Sequence, residues 1–226
     1  DKGTHFGARR VKKFLQAAHT LYPHQPVYVL QTDIKSFFAS MSWNVLKKLV
    51  AKKITDQRTL KLINQFITIH LISTTSTQSN KEIKKVINTE KQVGLPIGNL
   101  TSQLFANIYL NKLDHFVKEE LRQRWYARYM DDFLIINPYK QKLHQIKKQI
   151  TEFVNQQLQL KLHPNKTVIY PVKNGVPFVG YRIFHDHTLV RANSLLRMQQ
   201  RLKKRKQQLK NGEITQEKYE QSVSSF

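Results

Sequence analysis

The stretch Trp125-Tyr126-Ala127-Arg128-Tyr129-Met130-Asp131-Asp132-Phe133-Leu134-Ile135-Ile136 decides the fold. Two β-rich runs, 125–129 and 133–136, are separated only by Met130-Asp131-Asp132, a spacing that predicts an antiparallel hairpin with carboxylates at its tip. A second apolar run, Val27-Tyr28-Val29-Leu30-Gln31-Thr32-Asp33, reads as a buried strand that ends on an acid. If strand and hairpin lie in one sheet, Asp33 and Asp131 meet although they are distant in sequence. Carboxylates beside apolar strands cost several kcal/mol in desolvation when nothing neutralises them, so a cation is expected there. Two adjacent acids by themselves are usually a solvated turn. The apolar flanks and the third acid argue for function instead.

Working outward, 7–19 reads as a helix with Val11, Phe14, Leu15 and Ala18 on one side and Arg9, Arg10, Lys12 and Lys13 on the other. Those cations either track phosphates or only solubilise the helix. Ser42 is placed as the N-cap of a helix carrying Leu46, Leu49, Val50 and Ile54, and a further helix follows with Leu60, Ile63, Phe66 and Ile67. Between Ser73 and Lys91 the apolar period is lost in Ser, Thr, Asn, Gln and Lys, which predicts an exposed, mobile insert. Long helices are expected over 99–121 and 142–158. The runs 167–170 and 176–184 are joined through Asn174-Gly175, a second hairpin signal. His185-Asp186-His187 reads as a solvated turn in preference to a metal pair, because no third ligand is evident. From 193 to 210 runs a basic helix with Arg197, Arg201, Lys203, Lys204, Arg205 and Lys206, stopped at Asn211-Gly212.

Composition narrows the function. Among 226 residues, 38 Lys and Arg face 15 Asp and Glu, a net charge of +23. Such an excess is costly in self-repulsion unless a polyanion binds it, so nucleic acid is the first partner class and an anionic membrane surface the second. Apolar residues at 40% and only seven Gly and seven Pro exclude a disordered or collagen-like chain. The absence of Cys excludes thiol catalysis and thiolate metal sites. No run approaches the roughly 20 apolar residues of a membrane span, and the first residues are not a secretory signal, so no membrane association and a soluble intracellular protein are expected. Three carboxylates without Cys or His suit hard divalent ions, Mg²⁺ above all with Mn²⁺ the alternative. Two such ions about 3.5–4 Å apart serve in-line phosphoryl transfer onto a 3′-hydroxyl.

At this point the residues carry a family resemblance. Tyr129-Met130-Asp131-Asp132 resembles the Tyr-x-Asp-Asp motif of reverse transcriptases, and Asp33-Ile34-Lys35-Ser36-Phe37-Phe38 resembles their first aspartate motif. The resemblance implies that Asp33 and Asp131 are metal ligands, that Asp132 supports the site, and that dNTPs meet Ile34, Phe38, Ile97 and Gly98, with Phe38 as the steric gate. Gly94-Leu95-Pro96-Ile97-Gly98-Asn99-Leu100-Thr101-Ser102-Gln103 falls in the next motif, where glycine permits close backbone approach. His163-Pro164-Asn165-Lys166 resembles the motif whose Lys assists pyrophosphate departure; a solvated turn Lys is the alternative for Lys166. Val176-Pro177-Phe178-Val179-Gly180-Tyr181 resembles the primer grip, implicating Phe178, Gly180 and Tyr181. The basic helix resembles the start of a thumb that lies along duplex phosphates, implicating Arg197, Arg201 and Lys204.

Ile97-Gly98-Asn99-Leu100-Thr101-Ser102-Gln103, with Lys2-Gly3-Thr4-His5 and Leu113-Asp114-His115-Phe116-Val117, is similar to the enzymes of diversity-generating retroelements. Most reverse transcriptases carry Gln where Ile97 stands and Pro where Gln103 stands. The resemblance implies a bacterial or phage-encoded cytoplasmic enzyme that copies a template RNA from a primer with errors at adenines, aided by an accessory protein. Group II intron or retron reverse transcriptases and a non-catalytic RNA-binding fragment are the rival readings. The expected fold is α+β: a polymerase palm, its antiparallel sheet bearing the three aspartates and covered by the Asn99 and Lys142 helices. Partial fingers and palm are expected over 1–190, and the start of a helical thumb over 191–226. The fingers motifs that grip the triphosphate are expected before Asp1 and more thumb beyond Phe226.

Overall fold

The computed structural model describes residues 3–69, 92–95 and 100–224. The insert expected over 73–91, together with Ile97 and Gly98, lies outside the described residues. The chain forms two compact units: one from 17–173, the other from 1–16 and 174–226.

In the 17–173 unit the hairpin becomes strands β2 (Tyr126–Tyr129) and β3 (Asp132–Asn137), and the acid-ended run becomes β1 (Tyr28–Asp33). With β4 (Val168–Pro171) they make one antiparallel sheet in the order β2-β3-β1-β4. β3 is central because Phe133, Leu134, Ile135 and Ile136 are all apolar and all at most 2% exposed, so both of its faces must be covered. One face packs against α5 (Leu100–His115) and α6 (Lys140–Leu158): Leu30, Phe133 and Ile135 join Phe105, Tyr109, Leu113, Leu143, Ile146 and Ile150 in one core. Burying such side chains contributes about 1.5–3 kcal/mol each. A π-helical turn, Phe116–Glu120, ends α5.

Tyr109 ties three elements together inside this core. Its hydroxyl donates to the Leu158 carbonyl at the end of α6 (2.6 Å) and accepts from the Ser42 amide (3.3 Å). Burial pushes its phenol pKa well up, so it stays a neutral donor. Ser42 does precede a helix, α3 (Trp43–Ala51), but its hydroxyl makes no capping bond. Its amide bonds Tyr109 and its carbonyl accepts from Leu46, so burial has replaced the cap that the sequence suggests. Between β1 and α3 lies the one-turn α2 (Phe37–Ser40), and α4 (Gln57–Ile69) follows α3.

The other unit holds Thr4–Gln16 of α1 (Thr4–Leu21), a three-stranded antiparallel sheet, and the helices α7 (Ala192–Lys210) and α8 (Gln216–Ser224). Its sheet is β5 (Val176–Phe178), β6 (Tyr181–Ile183) and β7 (Thr188–Val190). The hairpin expected at Asn174-Gly175 does not form. β4 pairs with β1, β5 pairs with β6, and the tight turn is Val179-Gly180. Both turn residues have positive φ, 44° and 89°, as a two-residue hairpin loop requires. A β-branched residue rarely accepts that conformation, which is why Val179 gives no turn signal in the sequence. His185-Asp186-His187 forms the exposed turn between β6 and β7.

Candidate active site

Antiparallel pairing of β1 with β3 sets Asp33 opposite Asp132 at one end of the sheet. Tyr129 pairs with Asp132, so the hairpin loop is the two residues Met130-Asp131, with Met130 left-handed at φ 55°. Asp132 therefore belongs to a strand, and Asp131 stands at the tip. Burial pushes the Asp131 carboxyl pKa up, and Asp33, which shares a hydrogen bond with it, pushes it further; Lys166 opposes the rise.

Lys166 reaches this pair from the short 3₁₀ turn Pro164–Lys166, its ammonium donating to Asp33 Oδ2. The turn is latched to the end of β1. His163 N donates to the Asp33 carbonyl (2.7 Å), Lys35 N to the Lys161 carbonyl (2.8 Å), and the buried Thr32 and Thr167 hydroxyls bond each other (2.8 Å). Thr167 Oγ1 also donates to the His163 carbonyl (2.7 Å). The hydrogen bond to Asp33 holds the Lys166 pKa above that of an ordinary lysine, and the charges of all three aspartates add to it. Lys166 is thus protonated at neutral pH with its head largely in solvent, 61% exposed.

A second network sets the hairpin tip. Arg128 grips Asp114 of α5 with two bonds, Nε to Oδ1 (2.7 Å) and Nη2 to Oδ2 (2.5 Å). Tyr126 Oη donates to the same carboxylate (2.7 Å). The remaining guanidinium nitrogen, Nη1, donates to the Met130 carbonyl (2.9 Å), the peptide that leads into Asp131. Burial alone would lower the Arg128 pKa, but the hydrogen bond and charge of Asp114 raise it, so the pair stays ionic. Asp114 and Arg128 were visible in the sequence only as parts of motifs. A lone acid on an apolar helix and a lone base in an apolar strand were the signal for their pairing.

The other expected site residues are placed as follows. Ile34 is buried in the core at 2% exposure, bridged to Leu162. A left-handed Ser36 (φ 47°) turns the chain so that Phe37 is buried while Phe38 stays at the rim of the core, its carbonyl accepting from Leu95 N. Asp33, Asp131, Asp132 and Lys166 come together; Ile97 and Gly98 are outside the described residues. In the other unit Phe178 is buried at 1% exposure, Gly180 is open around its Cα, and Tyr181 Oη bonds His5 Nδ1 (3.2 Å). Arg197, Arg201 and Lys204 are exposed on α7 at helical spacing.

Among the described residues no group of three or more His, Cys, Asp or Glu converges as a metal site. The donor chemistry nonetheless fits a hard cation: the donors are carboxylate oxygens alone, one of them disfavoured as an anion by burial and another paired with an ammonium. Two acids opposed on paired strands and a third in the adjoining two-residue loop, at one end of a helix-backed antiparallel sheet, place the chain among α+β proteins with an acidic sheet end. The particular family follows from comparison. Residues 3–183 match the family model described as reverse transcriptase (RNA-dependent DNA polymerase), and the chain belongs to that family.

Protein YkfC of Escherichia coli K12 is 26% identical over 193 residues, covering 71% of this chain and 48% of YkfC. The group II intron-encoded protein LtrA of Lactococcus lactis is 24% identical over 240 residues, covering 79% of this chain and 37% of LtrA. The chain thus spans about half or less of these relatives. Among solved structures, truncated apo telomerase from Candida tropicalis superposes with a TM-score of 0.59 at 19% identity, covering 84% of this chain and 40% of that one. Telomerase from Candida albicans in complex with a TWJ fragment of telomeric RNA gives 0.57 at 15% identity, covering 84% and 34%. These likenesses carry the α+β fold. No helix among the described residues is long and apolar enough to cross a membrane.

Proposed function

We propose that the chain is the palm of an RNA-directed DNA polymerase that extends a DNA or RNA primer on an RNA template with dNTPs, in the manner of a diversity-generating retroelement. The observation that carries the reading is the register that sets Asp33 against Asp132 and puts Asp131 beside them. Asp33 and Asp131 would hold the divalent ions, Mg²⁺ in preference to Mn²⁺, with Asp132 in support. Two bound ions supply activation of the 3′-hydroxyl and charge stabilisation on the leaving pyrophosphate. The burial that keeps the Asp131 carboxylate poorly solvated makes it a strong acceptor of positive charge.

Lys166 is assigned as the proton donor to departing pyrophosphate. Its raised pKa keeps it charged, and its latch to β1 holds it beside the aspartates. Replacing it, as Lys166→Met, is expected to lower kcat about 10²–10³-fold with dNTP KM changed only a few-fold. An unchanged kcat leaves Lys166 an ion-pair partner alone.

Phe38 at the rim of the core is the proposed gate against ribose 2′-hydroxyls, and Ile34 adds its backbone alone, since its side chain is buried. Phe178, Gly180 and Tyr181 are assigned to the primer grip, where Gly180 is the open position. Arg197, Arg201 and Lys204 are assigned to duplex phosphates. In functional terms 1–190 is fingers remnant and palm and 191–226 the beginning of the thumb. A cytoplasmic setting in a bacterium or phage, and an accessory protein, belong to the same reading.

Ile97 is what distinguishes the retroelement type, because an apolar residue there removes an amide contact near the nascent pair. Ile97→Gln is expected to reduce misincorporation opposite template adenine several-fold on a primed RNA, read by sequencing the product; unchanged fidelity removes this part of the proposal. The likeness to LtrA favours a second reading, a group II intron type enzyme, in which adenines are copied as accurately as other bases. A chain that binds primed RNA but never extends it would be a binding module.

A further inference from the structure

At the end of the palm sheet away from the aspartates lies a small cleft of about 220 Å³. β1 and β3 run from Asp33 and Asp132 at one end to Tyr28 and Asn137 at the other, so about 16 Å of strand separates cleft and active site. Asn137 lines the cleft, with Tyr22, Trp125, Tyr139, Arg122, Arg124 and Lys142 among its other walls. It is smaller than the 300–1,000 Å³ of drug-sized ligand pockets, which suits one ring system.

Its chemistry is one-sided. Three cations line it and no carboxylate does, and none of the three is in an ion pair among the described residues. Elsewhere this chain pairs its site-forming cations, Arg128 and Lys166, with aspartates. Aromatic surface accompanies the charge: Tyr22 and Trp125 meet edge to face at 6.3 Å, and Tyr139 is 59% exposed.

The cations are set on a built frame. Gln123 between the two arginines is buried, its side-chain amide donating to the Leu121 carbonyl and accepting from Asn137 Nδ2 (3.4 Å). Gln123 N donates to the Val117 carbonyl (3.0 Å), and the Asn137 side chain in turn accepts from Tyr139 N (2.9 Å). Arg122 takes the left-handed conformation, φ 53°, just past a helix end where glycine is the usual residue.

We propose that this cleft binds one nucleotide of single-stranded RNA outside the primer-template channel, its phosphate held by Arg122, Arg124 and Lys142 and its base stacked on Tyr139. The choice of nucleic acid as ligand rests on the proposed polymerase function; the cleft itself does not. Cations that track a backbone beside an aromatic platform are how unpaired strands are held without sequence reading.

The test is fluorescence anisotropy of a labelled twelve-residue oligouridine with the intact chain across a salt series. Arg122→Gln/Arg124→Gln is expected to weaken binding at least 10-fold and to reduce the log–log salt slope by about 1.4, two phosphate contacts' worth. Tyr139→Ala should weaken it about 5–10-fold. The control Lys48→Gln/Lys148→Gln removes the same charge from exposed positions elsewhere and should cost less than 2-fold. Oligouridine carrying 4-thiouridine should crosslink within 122–142. An equal loss in the control pair, no loss with Tyr139→Ala, or crosslinks only outside that segment overturns the proposal. Primer extension is scored separately. Extension together with no difference in oligouridine binding among these variants removes the cleft alone, whereas the full binding pattern without any extension keeps the cleft and removes the polymerase reading.

Discussion

If the proposed active site is right, Asp131→Asn is expected to abolish primer extension, by at least about 10³-fold or some 4 kcal/mol of transition-state stabilisation, and to leave the protein no less stable. The second half follows from the sign of the pKa shift. Burial and Asp33 raise the Asp131 pKa above its unfolded value. Below the unfolded pKa both states hold the proton and nothing is lost. As pH rises through the window between the unfolded and the raised folded value, the native chain keeps a proton that the unfolded chain has released, and stability falls. Above the raised folded value the loss is at its full extent, and the neutral Asn relieves it. The group is only half-buried and solvent screens it, which limits the gain to about 1 kcal/mol or less, a Tm rise of a few degrees at most. Calorimetry with and without Mg²⁺ completes the test: the ion should raise Tm in the native protein by mass action and do so less in Asp131→Asn. A variant that loses Tm and activity together would make Asp131 a structural residue and leave the active-site assignment without its main support.

Arg128 gives the largest expected effect on stability. Arg128→Gln leaves the Asp114 carboxylate without its two bonds and the Met130 carbonyl without its donor, a change of about 3 kcal/mol for a largely buried ion pair. Asp114→Asn/Arg128→Gln should be less destabilised than the two single changes summed, by at least about 1 kcal/mol, because the double variant leaves no orphaned charge. Arg128→Lys separates folding from positioning. Lysine keeps the charge but lacks the planar fork that serves Asp114 and Met130 together. The lysine variant is expected to stay folded, to raise the Mg²⁺ concentration for half-maximal extension, and to lower kcat about 10-fold. An unchanged Mg²⁺ requirement would show that the network stabilises the hairpin without aiming Asp131.

Much of this site was legible as residue types in apolar contexts. Asp33 closing a strand and Asp131-Asp132 between two β-rich runs are local patterns, and carboxylates next to apolar strands need neutralising whatever the fold. Lys166 was ambiguous, since a lysine after Pro164-Asn165 is equally a solvated turn. What sets it beside Asp33 is the latch of Thr32 to Thr167 and of His163 to Asp33, bonds between residues far apart in sequence. Asn174-Gly175 misled because glycine's tolerance of positive φ says that a turn is allowed, not which strands it joins. β1 claimed β4, and the turn went to Val179-Gly180.

The amino-acid sequence by itself determined the hairpin of the 125–136 stretch, the strand that ends on Asp33, the charge of +23 and the identity of the acidic groups at the site, because periodicity, charge and side-chain chemistry are properties of short stretches. Only the tertiary structure decided the register that opposes Asp33 to Asp132, the arginine that anchors the hairpin tip from α5, the burial that raises the Asp131 pKa, and the cation-lined cleft at the far end of the sheet. Each of these depends on which distant backbone lies alongside, and pairing between strands and the desolvation that comes with it are set by the packed whole.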